Sequence, residues 1–338
     1  MLRTIAGGWI CLATACYAQT APPPTQPAPG ESFELRNGQY WERVSNPTTA
    51  PVTDETLDRA GQLVEHNNNA AAKKVLINWL KREQTSPLRD RALYLLGLAN
   101  YQYGDRIESF YDFDELMDKY ADSKYYYPSL EKQYQIADAY LSGYKRRFLG
   151  IPLLSAEDEA IEMMFRIQQR SPGSPLAEKA LKRTADYYYA DAQYDLAVDA
   201  YQAFIDRYRR SPEIPQVRLK KAFAELAQFR GTKFDPTQVI NARTSLEELA
   251  IDDPDLARQE NLPAVIDRID AALARKVYQT AQFYRRTHEP EAAAYTLDYL
   301  IKYYPQSPEA QKAKTELPQL PKPFKPATRP TDFKLDIR

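Results

Sequence analysis

The sequence has almost no cysteine or histidine. Two cysteines and two histidines occur in 338 residues, and both cysteines, Cys11 and Cys16, lie near the N-terminus. This placement excludes a disulfide framework or a Cys-rich metal site from the rest of the chain. His66 and His288 stand alone, in no HExxH spacing, so we expect no bound metal and no cofactor. The fold must therefore be held by packing.

The sequence also lacks a charge surplus and long apolar runs. It has 45 Lys and Arg against 46 Asp and Glu, whereas nucleic-acid-binding proteins usually carry a basic domain or stripe. We therefore expect no nucleic-acid partner. Beyond the N-terminus no apolar run approaches the roughly 20 residues that a membrane-spanning helix needs. With 43% hydrophobic residues the chain can still build a large core.

Motifs of known enzyme classes are missing or incomplete. No GxGxxG or GxxxxGK loop is present to hold nucleotide phosphates. Residues 129–132 (SLEK) match the S-x-x-K motif of penicillin-recognising enzymes, but the companion S-D-N and K-T-G elements are absent. The carboxylate pairs at 247–248 and 252–253 are predicted to lie on charged helix faces and turns, where solvation explains them. We therefore expect no enzymatic activity, and a glycan-active helical enzyme is the least favoured alternative.

The first 18 residues have the form of an export signal. Arg3 precedes an apolar stretch at 5–15 (IAGGWICLATA), which suits a signal-peptide core and is too short to span a bilayer. Two processing routes remain open. Residues 13–16 (ATAC) form an imperfect lipobox, which makes Cys16 the lipid attachment site and gives a lipid anchor in the membrane. Cleavage after Ala18 instead gives a soluble periplasmic protein.

Proline-rich segments flank the predicted body. Residues 19–31 form a linker in which five of the 25 prolines fall within ten positions, a composition typical of extended polyproline II. Residues 32–52 contain Asn37-Gly38 between two short alternating runs, which predicts a β-hairpin. Residues 318–338 have prolines at 318, 321, 323, 326 and 330, which predict an extended tail.

Between these segments the sequence repeats itself. Small residues recur where the second helix of each predicted pair crosses the first, at Ala72, Ser109, Ala160, Ala197, Ala242 and Ala293. The intervals are 37, 51, 37, 45 and 51 residues, against a tetratricopeptide period of about 34. The longer intervals indicate insertions, at 142–155 in the third unit and 231–236 in the fifth.

This pattern predicts an all-α fold for residues 53–317: a tetratricopeptide-like α-solenoid of five to six helix pairs, with a short N-terminal β-hairpin and extended Pro-rich termini. The six candidate units run approximately 54–87, 90–123, 130–174, 176–212, 216–254 and 266–308.

Two stretches show a family resemblance: AVDAYQAFIDRYRRSPEIPQVRLKKAFAELAQF at 197–229 and AAAYTLDYLIKYYPQSPEAQKA at 292–313. Over about residues 54–317 the chain resembles the outer-membrane assembly lipoproteins of the BamD (YfiO) type. The periplasmic cell-division coordinator of the Tol-Pal system is a near relative. The resemblance implies a non-enzymatic scaffold on the periplasmic face of the outer membrane that binds the β-barrel insertase and outer-membrane protein precursors. A Tol-Pal-type coordinator is the alternative. The hairpin, the sixth unit and the Pro-rich tail depart from the family pattern.

In a stack of helix pairs the first helices line one side. The offsets assign to this groove a partner- or peptide-binding set consisting of Arg91, Tyr94, Tyr101, Tyr134, Lys182, Tyr189, Lys220, Arg275, Tyr278 and Arg285. This lining is aromatic and basic, so it would suit an extended peptide with aromatic side chains and a free carboxylate. The alternative is that the tyrosines only fill contacts between repeats.

The insertion in the third unit holds the densest basic cluster beside an aromatic residue, formed by Lys145, Arg146, Arg147 and Phe148. Such a cluster can contact lipid headgroups, glycan or an acidic partner. The alternative is a solvated loop.

Overall fold

The computed structural model describes residues 32–36, 40–44, 54–148, 151–229, 231 and 235–322. The predicted signal peptide, Cys16, the linker at 19–31 and the tail from 323 onward lie outside the described residues. The chain divides into an N-terminal part, Met1–Pro51, and a C-terminal part, Val52–Arg338.

The N-terminal part contains one pair of antiparallel strands. β1 is Ser32–Arg36 and β2 is Tyr40–Val44, with Leu35 opposite Trp41. The Asn-Gly turn predicted from the sequence falls at residues 37–39, which lie outside the described residues.

The C-terminal part is built mainly of α-helices. Their bounds are α1 Glu55–Glu65, α2 Asn69–Arg82, α3 Arg89–Tyr103, α4 Arg106–Lys119, α5 Tyr126–Leu141, α6 Glu157–Arg170, α7 Pro175–Ala190, α8 Tyr194–Arg207, α9 Ile214–Ala227, α10 Thr237–Asp252, α11 Pro254–Gln259, α12 Leu262–Arg286, α13 Pro290–Tyr303 and α14 Pro308–Glu316. Successive helices pack as the six pairs α1/α2, α3/α4, α5/α6, α7/α8, α9/α10 and α12/α13. The predicted tetratricopeptide-like stack of five to six helix pairs is confirmed. First helices also touch across unit borders, as α1 with α3, α5 with α7, and α12 with α14.

In each pair the two helices cross at the small residue that the repeat pattern predicted. All six of these residues are fully buried. In the second pair the Ser109 hydroxyl donates to the Gly97 carbonyl at 2.7 Å, which satisfies the serine inside the core. Large side chains fill the space around these crossings, with Trp79, Phe113, Tyr140 and Tyr201 almost completely buried. Burying such side chains contributes about 1.5–3 kcal/mol each, so packing holds the stack together.

The first helix is fixed by one aspartate. Asp54 caps α1 by accepting the backbone N–H groups of Thr56 and Leu57 through one carboxylate oxygen. Its second oxygen accepts the Trp79 indole N–H at 2.8 Å. The capping residue thus ties the start of α1 to the buried tryptophan of α2.

Polar contacts between the first helix of one pair and the start or body of the next first helix recur at 33 to 34 residues. The Ser123 hydroxyl donates to Asp90 at 2.7 Å, 33 residues earlier, and Ser211 donates to Glu178 at the same separation. Lys220 reaches Asp186 across 34 residues. These separations match the tetratricopeptide period of about 34 residues, whereas the short helix α11 adds residues between the fifth and sixth pairs.

The inserted segment of the third unit differs from the predicted loop. β3 (Arg146–Phe148) pairs antiparallel with β4 (Ile151–Leu154), between α5 and α6. Strands this short give no alternating pattern that sequence reasoning can detect. In the fifth unit the break between α9 and α10 includes residue 230 and residues 232–234, which are not among the described positions.

The stack ends with α14 and a 3₁₀ turn at Leu317–Gln319. Leu317 and Leu320 pack on the last hydrophobic cluster, so the described chain remains packed two residues beyond the predicted start of the tail at 318. None of the helices in the described part of the chain has both the length and the apolarity needed to cross a bilayer.

Candidate functional site

The first helices of the third and fourth units and the start of the fifth unit enclose a cleft of about 380 Å³. Its lining includes Tyr134 from α5, Lys182, Arg183 and Asp186 from α7, and Glu213 at the start of α9. Two residues of the predicted groove, Tyr134 and Lys182, thus meet in one place. Pro175 and Pro215 lie in the first turns of α7 and α9, where proline favours a helix start, and these two starts frame the cleft.

Asp186 is the centre of the charges in this cleft. Its Oδ1 accepts from Lys220 Nζ at 2.8 Å and from the hydroxyl of the buried Tyr201 at 2.7 Å. Lys182 Nζ lies 3.5 Å from Asp186 Oδ2 and 3.4 Å from Glu213 Oε2. Lys220 and Tyr201 therefore hold Asp186 tightly, whereas Lys182 is shared at longer range between two carboxylates.

Tyr134 lies beside a second ion pair. Arg183 Nε is 2.5 Å from Asp138 Oδ1, and its guanidinium also donates to the Ser142 hydroxyl at 3.0 Å. Burial raises the pKa of the Tyr134 phenol; Asp138 adds to the rise and Arg183 opposes it. Tyr134 therefore stays a neutral phenol that can donate a hydrogen bond into the cleft.

The N-terminal members of the predicted groove lie apart from this cleft. Arg91 pairs with Asp58 of α1 at 2.7 Å. The Tyr94 ring stacks on Tyr125 with centroids 4.7 Å apart, and burial raises the pKa of its phenol. The alternative interpretation, packing between repeats, therefore describes Tyr94 better than ligand binding.

The remaining tyrosines of the set also make contacts within the stack. The Tyr101 ring makes cation–π contacts with two side chains: Arg106 lies 5.2 Å and Lys132 5.0 Å from the ring centroid. Tyr189 packs edge-on against Tyr194 at 5.8 Å.

The C-terminal members face α14. Glu316 accepts hydrogen bonds from the Tyr278 hydroxyl at 2.6 Å and from Arg285 at 2.9 Å. Gln282 donates to the same carboxylate at 2.7 Å. Arg275 lies 3.8 Å from Glu309. The groove positions of the sixth unit are thus engaged by a helix of this chain.

The structure corrects the predicted basic lining. All five cations assigned to the groove have a carboxylate partner, namely Asp58 for Arg91, Asp186 and Glu213 for Lys182, Asp186 for Lys220, Glu309 for Arg275 and Glu316 for Arg285. First helices of adjacent units place opposite charges side by side, so the surface is charge-balanced. Sequence reasoning missed Glu316, although it stands 34 residues after Gln282, one tetratricopeptide period away.

The other predicted sites are only partly described. Lys145 and Arg146 of the insertion are exposed, and the side chains of Arg147 and Phe148 are outside the described residues, as is Cys16. Contact of this insertion with lipid, glycan or an acidic partner stays a prediction.

The carboxylates considered for catalysis have structural partners. Arg218 pairs with Asp252 at 2.6 Å and with Glu248 at 3.3 Å. Glu247 pairs with Arg243, and Asp253 caps α11. Over the described ranges no group of three or more His, Cys, Asp or Glu side chains is arranged to hold a metal ion.

Comparison with known proteins gives one family and several solved structures. Residues 155–319, just under half of the chain, match the family model YfiO, described as "Outer membrane lipoprotein". No protein with a curated description matches the chain.

Among solved structures, a tetratricopeptide repeat protein from Parabacteroides merdae is 14% identical and covers 78% of this chain and 96% of its own, with a TM-score of 0.34. The C-terminal part of a TPR repeat-containing protein from Cytophaga hutchinsonii is 15% identical and covers 76% and 98%, with a TM-score of 0.31. Pseudomonas aeruginosa PilF is 14% identical and covers 78% and 98%, with a TM-score of 0.27.

The family match begins at the end of the inserted segment of the third unit and runs to the 3₁₀ turn after α14. It covers the C-terminal part of the range over which the sequence showed the resemblance, and it includes the stretches at 197–229 and 292–313. Residues 155–319 are therefore similar to the YfiO family, as the sequence predicted, in a chain built of tetratricopeptide-like helix pairs.

Proposed function

We propose that the protein is a non-enzymatic scaffold on the periplasmic face of the outer membrane. It binds the β-barrel assembly machinery, incoming outer-membrane proteins, or both. The observation that carries this proposal is the match of residues 155–319 to an outer membrane lipoprotein family. Acyl chains on Cys16 would hold the scaffold at the membrane, whereas cleavage after Ala18 would leave it soluble in the periplasm.

The cleft between α5, α7 and the start of α9 is the part of the first-helix surface best suited to a peptide. Lys182 spans two carboxylates at 3.4 and 3.5 Å, and its side chain is 28% exposed. An incoming carboxylate can replace one of these partners while Asp186 keeps Lys220 and Tyr201. Tyr134 adds a hydrogen-bond donor and aromatic area for a neighbouring side chain of the peptide.

Site-specific crosslinking in intact cells tests this proposal. A photoreactive residue replaces Lys179, which lines the cleft, and in a matched variant it replaces Asp199, which is exposed on α8. Mass spectrometry then identifies the captured proteins. We expect a β-barrel insertase or outer-membrane protein precursors from position 179 and not from position 199.

Capture of other proteins would contradict the proposal and favour an alternative. Division or peptidoglycan-synthesis proteins at position 179 would favour the Tol-Pal-type coordinator. Release of sugars from purified glycan by the isolated protein would favour the enzymatic alternative. Intact-mass measurement on membrane-extracted protein decides the anchor, because a mature chain starting at Gln19 would exclude acylation of Cys16.

A further inference from the structure

Arg106, the first residue of α4, contacts two tyrosine rings. Its guanidinium carbon lies 3.7 Å from the ring centroid of Tyr144, two residues before β3, and 5.2 Å from that of Tyr101 in the last turn of α3. Its Nε atom is buried and has no hydrogen-bond partner among the described residues. Aromatic contact therefore holds this guanidinium, and its planar fork of N–H groups is suited to an anion.

Three more cations lie near these two tyrosines. Lys132 of α5 shares the Tyr101 ring, with Nζ 5.0 Å from the centroid. Lys145 and Arg146 follow Tyr144 directly in the chain, and both side chains are exposed. We call Arg106, Lys132, Lys145 and Arg146 the cation cluster.

The phenol of Tyr140 lies close to both arginines of the cluster. The Tyr140 ring packs edge-on against Tyr144, with the centroids 5.7 Å apart. Burial raises the pKa of Tyr140 to about 12, Tyr144 and Glu108 add to the rise, and the positive charges of Arg106 and Arg146 oppose it. The two guanidinium groups therefore act on one place, at the base of the β3–β4 pair.

The cation cluster lacks the acids that accompany cations elsewhere in the stack. All five cations of the predicted groove have a carboxylate partner, whereas no member of the cluster forms an ion pair within the part of the chain that the structure describes. Asp105, next to Arg106, is engaged by Lys73 at 2.5 Å, and Lys132 donates to the Gln135 amide oxygen at 2.9 Å. Like charges repel one another, so an anionic ligand would stabilise this arrangement.

The sequence around the cluster favours a membrane as the source of the anion. Residues 144–154 read YKRRFLGIPLL, with three cations, no acid and five residues of Phe, Leu or Ile. The antiparallel register places Leu154 of β4 opposite Arg146 of β3, so the apolar sequence returns beside the cations. Cations next to apolar residues are typical of segments that bind anionic lipid surfaces. A soluble acidic protein would match the charges but would give the apolar residues no role.

We propose that the cation cluster binds the phosphate groups of anionic phospholipid headgroups, with the β3–β4 pair at the membrane surface. The Arg106 guanidinium then forms charge-assisted hydrogen bonds with phosphate oxygens, and Lys132, Lys145 and Arg146 add positive charge around them. This contact requires neither acylation of Cys16 nor the peptide cleft between α5, α7 and α9, so it goes beyond the proposed scaffold function.

Vesicle co-sedimentation tests the proposal with the unacylated chain that starts at Gln19. The vesicles contain equal parts of phosphatidylglycerol and phosphatidylcholine, or phosphatidylcholine alone. We expect binding to the anionic vesicles that weakens as salt is added, and binding to the neutral vesicles that is at least about tenfold weaker. The variant Arg106→Gln/Lys145→Gln/Arg146→Gln should bind the anionic vesicles about tenfold more weakly than the wild-type chain.

A second triple variant with the same change in net charge is the control. Lys74→Gln/Lys81→Gln/Arg82→Gln replaces three exposed cations of α2 and should bind like the wild-type chain. Lys145→Gln/Arg146→Gln changes exposed side chains only, so its weaker binding cannot be attributed to misfolding. Crosslinking from position 179 should be unchanged in all three variants, which separates this test from that of the scaffold function.

Three results would overturn the proposal. Equal binding of the anionic vesicles by the two triple variants, with circular dichroism showing both folded, would mean that the cation cluster does not contact lipid. Calorimetric binding of inorganic phosphate without binding to vesicles would assign the cluster to a small phosphate. Binding to purified peptidoglycan and not to vesicles would assign it to a glycan.

Discussion

Phe113 packs its ring against the backbone of Gly97 so closely that a β-carbon at residue 97 would lie 2.5 Å from Cε1 of the ring. Phe113 is completely buried and part of the largest hydrophobic cluster, so it has no room to withdraw. The Ser109 hydroxyl bonds to the carbonyl of the same glycine. The close crossing of α3 and α4 therefore depends on the absence of a side chain at residue 97.

We predict that Gly97→Ala lowers the free energy of unfolding by about 1–3 kcal/mol, the usual cost of overpacking a core. Gly61→Ala is the matched control, because its new β-carbon would lie 4.0 Å from Leu95 Cδ2. In that helix alanine should stabilise by about 0.5–1 kcal/mol. Urea unfolding of both variants measures the two effects, and equal shifts in the same direction would contradict the packing argument.

Glu316 should hold α14 in place. Glu316→Gln removes the charge that accepts from Tyr278, Gln282 and Arg285, and we expect a loss of about 1–2 kcal/mol. Limited proteolysis should then cut near α14 several times faster than in the wild-type protein. Glu291→Gln is the control, since this residue is exposed on α13. Equal cleavage of both variants would show that the carboxylate does not secure the helix.

The carboxylate of Glu316 should also make the stability of the protein depend on pH. Burial raises the pKa of Glu316, but hydrogen bonds from Tyr278 and Gln282 and the charge of Arg285 lower it below its ordinary value of 4.5. A carboxyl group with a lowered pKa in the folded state stabilises above its unfolded pKa. That stabilisation disappears as pH falls through the folded pKa. The stability difference between wild type and Glu316→Gln should therefore shrink below about pH 4, in urea titrations at several pH values.

Asp112 should give the opposite dependence of stability on pH. Burial is the main cause that raises the pKa of this carboxyl to about 7, although Asn100 donates a hydrogen bond to it at 2.6 Å. The folded state then binds a proton that the unfolded state has released, so stability falls as pH rises from about 4 to about 7. Asp112→Asn should remove this slope and gain roughly 2 kcal/mol at pH 8 relative to wild type. Thermal or urea unfolding across this range measures it, and parallel pH profiles would refute the prediction.

Lys182 is the residue through which the peptide cleft should recognise a carboxylate. Lys182→Gln keeps a long polar side chain but removes the cation, and we expect the crosslinking yield at position 179 to fall about tenfold. Lys81→Gln on α2 is exposed and serves as the control. Stability should change by less than about 1 kcal/mol, because partly exposed ion pairs contribute little. An unchanged yield would remove Lys182 from the proposed binding surface.

The repeat architecture could be predicted because its signal is local and periodic. Small residues such as Ala197 and Ala293 mark close helix crossings, and all of those predicted are buried. Ser174 and Ser307 stand directly before Pro175 and Pro308 and cap α7 and α14 through their hydroxyls. These features depend on residues a few positions apart, which sequence patterns capture well.

The chemistry of the groove was harder to predict because it depends on which side chains meet across units. Lys182 and Lys220 read as free cations in the sequence. The pairs that Lys220 makes with Asp186 of α7, and Lys182 with Glu213 at the start of α9, join two units, and only the packing fixes their distances. The strands at Arg146–Phe148 and Ile151–Leu154 were missed for a different reason: they are too short for alternation to be visible.

The polar contacts at the borders between units fix the order of the units. Ser211 donates a hydrogen bond to Glu178, and Lys220 donates one to Asp186. A shuffled protein with the fifth unit transplanted behind the sixth would bring Lys220 near Gln282 and leave Asp186 without its lysine. Each junction is thus specific to its two neighbours, and recombination between units should succeed only when both halves of a junction are exchanged together.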